Sequence, residues 1–548
     1  MIGVIADPHD LPVVREFFEL FKTPWEPYAR ERKYDILLCF GDRDLRWYEA
    51  PTVVVYSGAR SLSPANASDQ VAGQHSARVL RYKDERLPLY CGGVTFACGD
   101  ASLLADAVTH APVVQESRLN GRVVVWVGYD LLQEVRYLLR CGQPAENAQT
   151  PTLDLHISLL RDLLRSTDLP FVEVPPVPGG YSFVACLTHD VDHPYIRKHK
   201  FDHTMLGFLY RATLGSIIDF AQGRTTFRNV LRNWIAAGEL PFVHLGLADD
   251  FWSSFDRYSE IERRYPSTFF VIPFRDTPGR TENQLARQRR GAEYGVSDVS
   301  PQLRRLVSAG CEVGLHGIDA WTDSVAGKRE LEEIRSVTGE NDPGVRMHWL
   351  FFDEGSPLKL ERAGAKYDST VGYNETVGYR AGTHQVYKPL NTSELLELPL
   401  HIMDTALFYP SHLHLSPKEA GLMIQGIIDS AAKHGGCVTV NWHDRSIAPE
   451  RLWTDTYVKL IEELERRGAW FATASQATSW FRMRRSIRFE RDTNGKVETV
   501  LPSCKDEVLP PVIARTCTGS TLSQDVVLKW SETFGSSHRC STLESCRR

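Results

Sequence analysis

The stretch FVACLTHDVDH, Phe183–His193, decides how the chain is read. It opens as an apolar strand and closes in a burst of carboxylates and imidazoles. Side chains alternate between the two faces of a strand, so Asp190 and Asp192 share one. Two carboxylates on one face repel unless a cation or a proton lies between them. One can then hold a metal while the other takes a proton from water; the plainer alternative is a solvated loop start. Side chains that do chemistry gather at the C-terminal ends of strands in (β/α) barrels.

Strand-like segments recur downstream, with helical stretches between them. They are STFFVIP (Ser267–Pro273), CEVGLHG (Cys311–Gly317), GVRMHWLFF (Gly344–Phe352), LLELPL (Leu395–Leu400), CVTVNWHD (Cys437–Asp444) and AWFATA (Ala469–Ala474). Most end in a polar residue, which predicts an irregular α/β barrel over 183–485. Residues 194–262 are polar and helical in pattern and read as an insertion. Upstream, Ile2–Ile5, Asp35–Cys39, Thr52–Tyr56 and Arg122–Val127 alternate with helical stretches. They predict a smaller α/β domain over 1–169, which has no phosphate-binding glycine loop and no assignable role. Prolines and glycines predict a linker at 170–182. An Asn-Gly turn predicts a β-hairpin over 486–502. The stretch 503–548, rich in Ser, Thr and Cys, is expected to be disordered. A zinc or disulfide module on Cys504, Cys517, Cys540 and Cys546 fits no standard spacing.

Composition narrows the function. The 548 residues are 42% hydrophobic and 24% charged, with a net charge of −6. That is enough apolar material for several domains, and the basic footprint of a nucleic-acid binder is missing. No apolar run reaches the roughly 18 residues of a membrane span. MIGVIADPHD lacks the basic and apolar regions of a secretory signal. Of the 11 cysteines, Cys39, Cys186, Cys311 and Cys437 sit inside apolar runs and read as free thiols. A cytoplasmic protein is expected.

Two more strand ends carry chemistry. In GLHGIDAW, His316 closes a strand and Asp319 follows at i+3, a spacing that shares a face in a helical turn. Imidazole plus carboxylates is an ordinary zinc ligand set. In VNWHD, His443 closes a strand and is a candidate general acid. Either histidine could instead be packed or capping. Arg346, His348, Arg380 and Asp404 are weaker signals. No G-x-S-x-G elbow occurs, which disfavours a serine hydrolase.

The order of these segments matters more than any one. THDVD, STFFV, EVGLHG, GVRMH, YDSTVGY, ELPLHIMD and VNWHD follow one another between Ser182 and Arg485. In that order the chain resembles the polysaccharide deacetylase (NodB-homology, carbohydrate esterase 4) superfamily, with Asp-x-Asp in place of the commoner adjacent pair. It is most like members found in bacterial surface-polysaccharide gene clusters. The resemblance implies that Asp190 is the catalytic base and that Asp192 and His316 are metal ligands. It also implies that Arg346 orients the base, that His443 protonates the leaving amine and that Asp404 orients His443. The superfamily's second metal histidine would fall at Ala320. Asp319 is expected to replace it, with His348 or His193 as other candidates. The implied cofactor is a divalent cation, zinc first, with manganese, iron or cobalt as alternatives. The implied activity is hydrolysis of an N-acetyl amide on an amino sugar or glycan intermediate. Two other functions stay open: hydrolysis of another C–N bond, cyclic or ureido, and a non-catalytic carbohydrate-binding role motivated by Ala320. Trp321, Trp349 and Trp442 are candidate faces for stacking on a sugar.

Overall fold

In a computed structural model, Phe183–Val191 forms a nine-residue strand, β1, buried along its whole length. The structure describes residues 1–41, 43–58, 71–75, 78–119, 121–167, 169–280, 290–492, 497–501, 509–518, 521–528 and 538–540. A strand covered on both faces needs no polar alternation, which is why β1 reads as one apolar run. It pairs in parallel with Ser267–Val271 (β2). The parallel ladder continues through Glu312–Gly317 (β3), Val345–Met347 (β4), Tyr367–Asp368 (β5) and Leu396–Glu397 (β6). On its other edge β1 pairs with Cys437–Asn441 (β8), which in turn pairs with Ile402–Met403 (β7). Ala469–Phe471 (β9) also pairs with β1. The order β6-β5-β4-β3-β2-β1-β8-β7 is a curled parallel sheet with no pairing between β6 and β7 among the described residues. This is the irregular (β/α) barrel expected from the strand pattern.

The two faces of β1 have different tasks. Ala185 and Leu187 pack in the main core with Phe269, Val313, Val345 and Val440. His189 continues that face, its ring 4.1 Å from Tyr258 and 4.6 Å from Phe269. Thr188 and Asp190 point the other way, into the barrel. Helices follow the strands, among them Ser324–Thr338 (α1), capped by Asp323, and Pro417–His434 (α2), opened by a Ser416/Glu419 capping box. The segment after β1 is helical and has its own small core of Met205, Phe208, Ala212, Ala236, Leu240 and Trp252. No helix among the described residues is long and apolar enough to cross a membrane.

The chain forms two compact units. The barrel comprises Tyr181–Arg380 and Asn391–Ser479; the other comprises Met1–Gly180, Ala381–Leu390 and Trp480–Arg548. The second unit holds a six-stranded sheet in the order Val114–Leu119, Arg122–Val127, Thr52–Tyr56, Ile36–Phe40, Ile2–Ile5, Trp25–Pro27. Only its first pair is antiparallel.

Two expectations are corrected in this unit. The linker at 170–182 contains a strand, Phe171–Glu173. It pairs antiparallel with Ile513–Thr518, which pairs with Thr521–Val527. The stretch from 503, expected to be disordered, therefore supplies two strands. The two form a local hairpin, and only the first meets a partner remote in sequence. Arg488–Arg491 and Val497–Leu501 pair antiparallel, while the turn between them, Cys504 and Cys546 lie outside the described residues. Cys517 is a buried free thiol.

The barrel's packing leaves no room at Gly344, just before β4. A Cβ there would lie 1.8 Å from the Tyr367 ring. That ring cannot yield, because its hydroxyl donates to buried Glu312 at 2.6 Å. Gly344→Ala is expected to destabilise the barrel by about 1–3 kcal/mol, read as a lower denaturation midpoint.

Candidate metal centre and catalytic site

The inner face of β1 and the strand ends beside it assemble one polar cluster. Asp190 is held at both oxygens. Arg346 Nη1 donates to its Oδ1 at 3.0 Å, and Asn441 Nδ2 donates to its Oδ2 at 2.7 Å. The guanidinium is itself fully buried. It donates to Thr188 Oγ1 and to Ser369, and it lies 4.5 Å over the Phe270 ring. Burial pushes the Asp190 carboxyl up, but the charges of His316, Arg346 and His443 outweigh it and hold the group below its usual range.

Asp192 sits two residues on, at the mouth; its side chain is 21% exposed, against 4% for Asp190. Three imidazoles face it. His316 Nε2 lies 3.3 Å from Oδ1, His348 Nε2 3.6 Å from the same oxygen, and His443 Nε2 3.8 Å from Oδ2. Burial opposes the charge on Asp192, but the facing imidazoles of His316, His348 and His443 hold it well below the carboxylate range.

Asp192, His316 and His348 each offer one ligand atom, all within 4.8 Å of one another. The residues fit a cation on three counts. Asp192 Oδ1 is buried with no hydrogen-bond donor. Its separations from the two Nε2 atoms match the edge of about 3.3 Å in a tetrahedron with ~2.0 Å bonds. His316 Nδ1 donates to the Arg346 carbonyl at 3.0 Å, which frees Nε2 to ligate. Burial drives the pKa of His348 down to about 3, so it stands as the neutral imidazole that a metal needs.

His348, and not Asp319, lies beside Asp192 and His316. Asp319 does not join the cluster: its Oδ1 accepts from the Arg280 N–H at 2.8 Å. The i+3 argument assumed a helical turn after His316, but α1 starts only at Ser324. The intervening amides of Ile318 and Asp319 donate instead to Glu330, at 2.9 and 2.8 Å. GVRMHWLFF is likewise not one long strand. β4 ends at Met347, and Trp349 and Leu350 adopt positive φ of 65° and 53°. This sharp exit leaves His348 at the strand end, beside His316 at 5.0 Å between rings. Buried Arg290 braces both loops, donating to the carbonyls of Ile318 at 2.7 Å and His348 at 3.4 Å. His193 is half-buried with its ring against His199 and is not in the cluster.

His443 and Asp404 form the remaining pair. His443 Nδ1 donates to Asp404 Oδ1 at 2.6 Å, and its backbone N–H donates to Oδ2 at 2.7 Å. Burial works against the imidazolium, but buried Asp404 overrides it and raises the pKa to about 10. Nε2 is left facing Asp192.

Sequence reasoning thus brought together Asp190, Asp192, His316, Arg346, Asp404 and His443, and it missed Asn441 and Arg290. Asn441 could have been found: it ends β8 two residues before His443, the spacing that shares a face in extended chain. Trp442 is no sugar platform. It is fully buried and stacks on Tyr457 at 5.1 Å, whereas Trp321 and Trp349 are partly open. A separate groove of about 1170 Å³, between the insertion and α2, contains none of the clustered residues.

No family profile and no curated protein matches the chain. Among solved structures, it is similar to a Mycobacterium smegmatis protein assigned as a polysaccharide deacetylase. That pair is 18% identical, covers 56% of this chain and 94% of the other, and has a TM-score of 0.35. It is also similar to the PuuE allantoinase (12% identical, 55% and 91% covered, TM-score 0.35). Agd3, a carbohydrate deacetylase, matches over 99% of this chain and 98% of its own at 9% identity, with a TM-score of 0.35. At such distances the site itself must carry the chemistry.

The ligand assignment has a direct check. His348→Ala is expected to weaken zinc binding by more than the roughly 10–100-fold that loss of an outer-sphere partner costs. Asp319→Ala should keep stoichiometric zinc. Metal analysis after dialysis against graded chelator reads both.

Proposed function

We propose that this protein is a divalent-metal-dependent hydrolase of the polysaccharide deacetylase superfamily that removes the N-acetyl group from an amino sugar or glycan. One arrangement carries the reading: a doubly held carboxylate, Asp190, beside an Asp192–His316–His348 ligand set, opposite an Asp404-backed imidazole. Asp192, His316 and His348 would hold the cation, and two nitrogens with one oxygen favour zinc. When bound, the cation polarises the acetyl carbonyl and brings the pKa of water toward ~7.

The chain's own residues supply the rest. Arg346 and Asn441 fix both oxygens of Asp190, so its remaining lone pairs point at one place. From there Asp190 accepts the proton of the attacking water. The water oxygen bonds to the acetyl carbon. The C–N bond then breaks, and His443 Nε2 gives the departing nitrogen its proton. Amines leave amides poorly, so this donor is essential. Asp404 keeps the imidazole charged and aimed. Acetate and a free amine result.

Ala320 was the sequence argument for a carbohydrate binder that had lost a ligand. His348, beside Asp192 and His316, supports a full ligand set without a residue at 320. Nothing in the site favours a cyclic or ureido amide over an acetamide.

Asp190→Asn is expected to lower kcat on N-acetylated oligosaccharides by about 10²–10⁴-fold while zinc content stays stoichiometric. His443→Ala should do the same. Acetate release and amine formation measure the rate. Wild-type turnover in Asp190→Asn would overturn the assignment of the base.

A further inference from the structure

The helical insertion after β1 is built inside out. Among the described residues, 14 of the 20 exposed large hydrophobic side chains lie between Phe201 and Leu247. In the helical run His203–Ala221, the side turned to the protein carries Met205, Phe208, Ala212 and Ser216. The opposite side carries Leu206, Tyr210, Leu214 and Ile217, which are 44–60% exposed. The helix Phe227–His244 repeats the pattern. It buries Val230, Asn233, Ala236, Leu240 and Val243. It turns Phe227, Leu231, Trp234, Ile235 and Phe242 outward, at 49–66% exposure. The two outer faces meet where the Phe220 and Phe227 rings touch, 6.0 Å between centroids. A water-facing helix should be polar on its outer side. Here both sides are apolar, the inner one on a small core and the outer one on water.

The kinds of side chain around this face say what covers it. The insertion as a whole, 194–262, carries eight Lys and Arg against eight Asp and Glu, but the second helix carries Arg228 and Arg232 against Glu239 alone. Exposed Arg228 and Arg232 flank the apolar stripe of the second helix. Bulky apolar and aromatic side chains rimmed by arginine, on helices that lie flat, are the chemistry of the headgroup–acyl boundary. The second helix has 18 residues and falls short of a membrane span. We propose that the insertion is a monotopic docking surface for an anionic lipid bilayer. Leu231, Trp234 and Phe242 would enter the acyl boundary, and Arg228 and Arg232 would meet the headgroups. The inference does not depend on the hydrolase reading.

Sedimentation of the full chain with liposomes tests it. The vesicles are phosphatidylcholine, with or without about one-third phosphatidylglycerol, at low and high salt. The wild type should bind the anionic vesicles and lose binding as salt rises. Leu231→Ser/Trp234→Ser/Phe242→Ser should weaken binding at least tenfold, and Arg228→Glu/Arg232→Glu should abolish the preference for anionic lipid. Zinc uptake should be unchanged in both, which shows that the barrel is folded. A wild type that ignores the vesicles overturns the proposal. A self-associated wild type that ignores them and that the triple change converts to monomers would assign the face to a second copy of this chain. Loss of hydrolysis with intact vesicle binding would sink the function proposed above and leave this one standing.

Discussion

Two carboxylates two residues apart on the inner face of a buried strand are the constraint from which the site follows. Neither can stay charged there alone, because burial strips the solvation that a carboxylate needs. The chain answers each differently. Asp190 is matched by a guanidinium and a carboxamide, one to each oxygen, and so is held in one orientation. Asp192 is matched by imidazoles at 3.3, 3.6 and 3.8 Å and keeps one oxygen with no donor at all. The same strand therefore presents one carboxylate held at both oxygens and one with an oxygen left open.

Everything else in the barrel holds those two oxygens in place. Arg346 reaches Asp190 from β4 and is buttressed by Phe270 on β2, Ser369 after β5 and Thr188 on β1. The ligand loops are stiffened from outside: Glu330 takes the amides after His316, and Arg290 takes the carbonyls of Ile318 and His348. Burial raises the Glu330 pKa to about 7, and the two amides are what hold it in check. Such bracing is what a site needs if its groups are not to reorganise during reaction.

The insertion follows the same strand directly. It begins where His193 donates its amide to Asp444, one residue after Asp192. Its inner faces are used up on a small core, so its apolar outer faces answer to something beyond the barrel.

The sequence by itself determined the strands and the residues at their ends. Strand periodicity and apolar runs are local, so Asp190 and Asp192 on one face, His316 closing β3, Arg346 on β4 and His443 after β8 were all legible from one stretch at a time. Asp404 was legible only through the order of the motifs. What tertiary structure decided was whatever depended on a partner remote in the chain or on an abrupt change of backbone direction. His348 and not Asp319 stands beside Asp192 and His316 because the chain leaves β4 through two left-handed residues, while the turn after His316 spends its amides on Glu330. The hairpin of Ile513–Thr518 and Thr521–Val527 is docked through its first strand onto Phe171–Glu173, more than 300 residues away in the chain. The insertion's helices could be read from their pattern, but not which of two apolar sides would meet the protein. Periodicity fixes the angle between residues on a helix, and only packing fixes which way that angle faces.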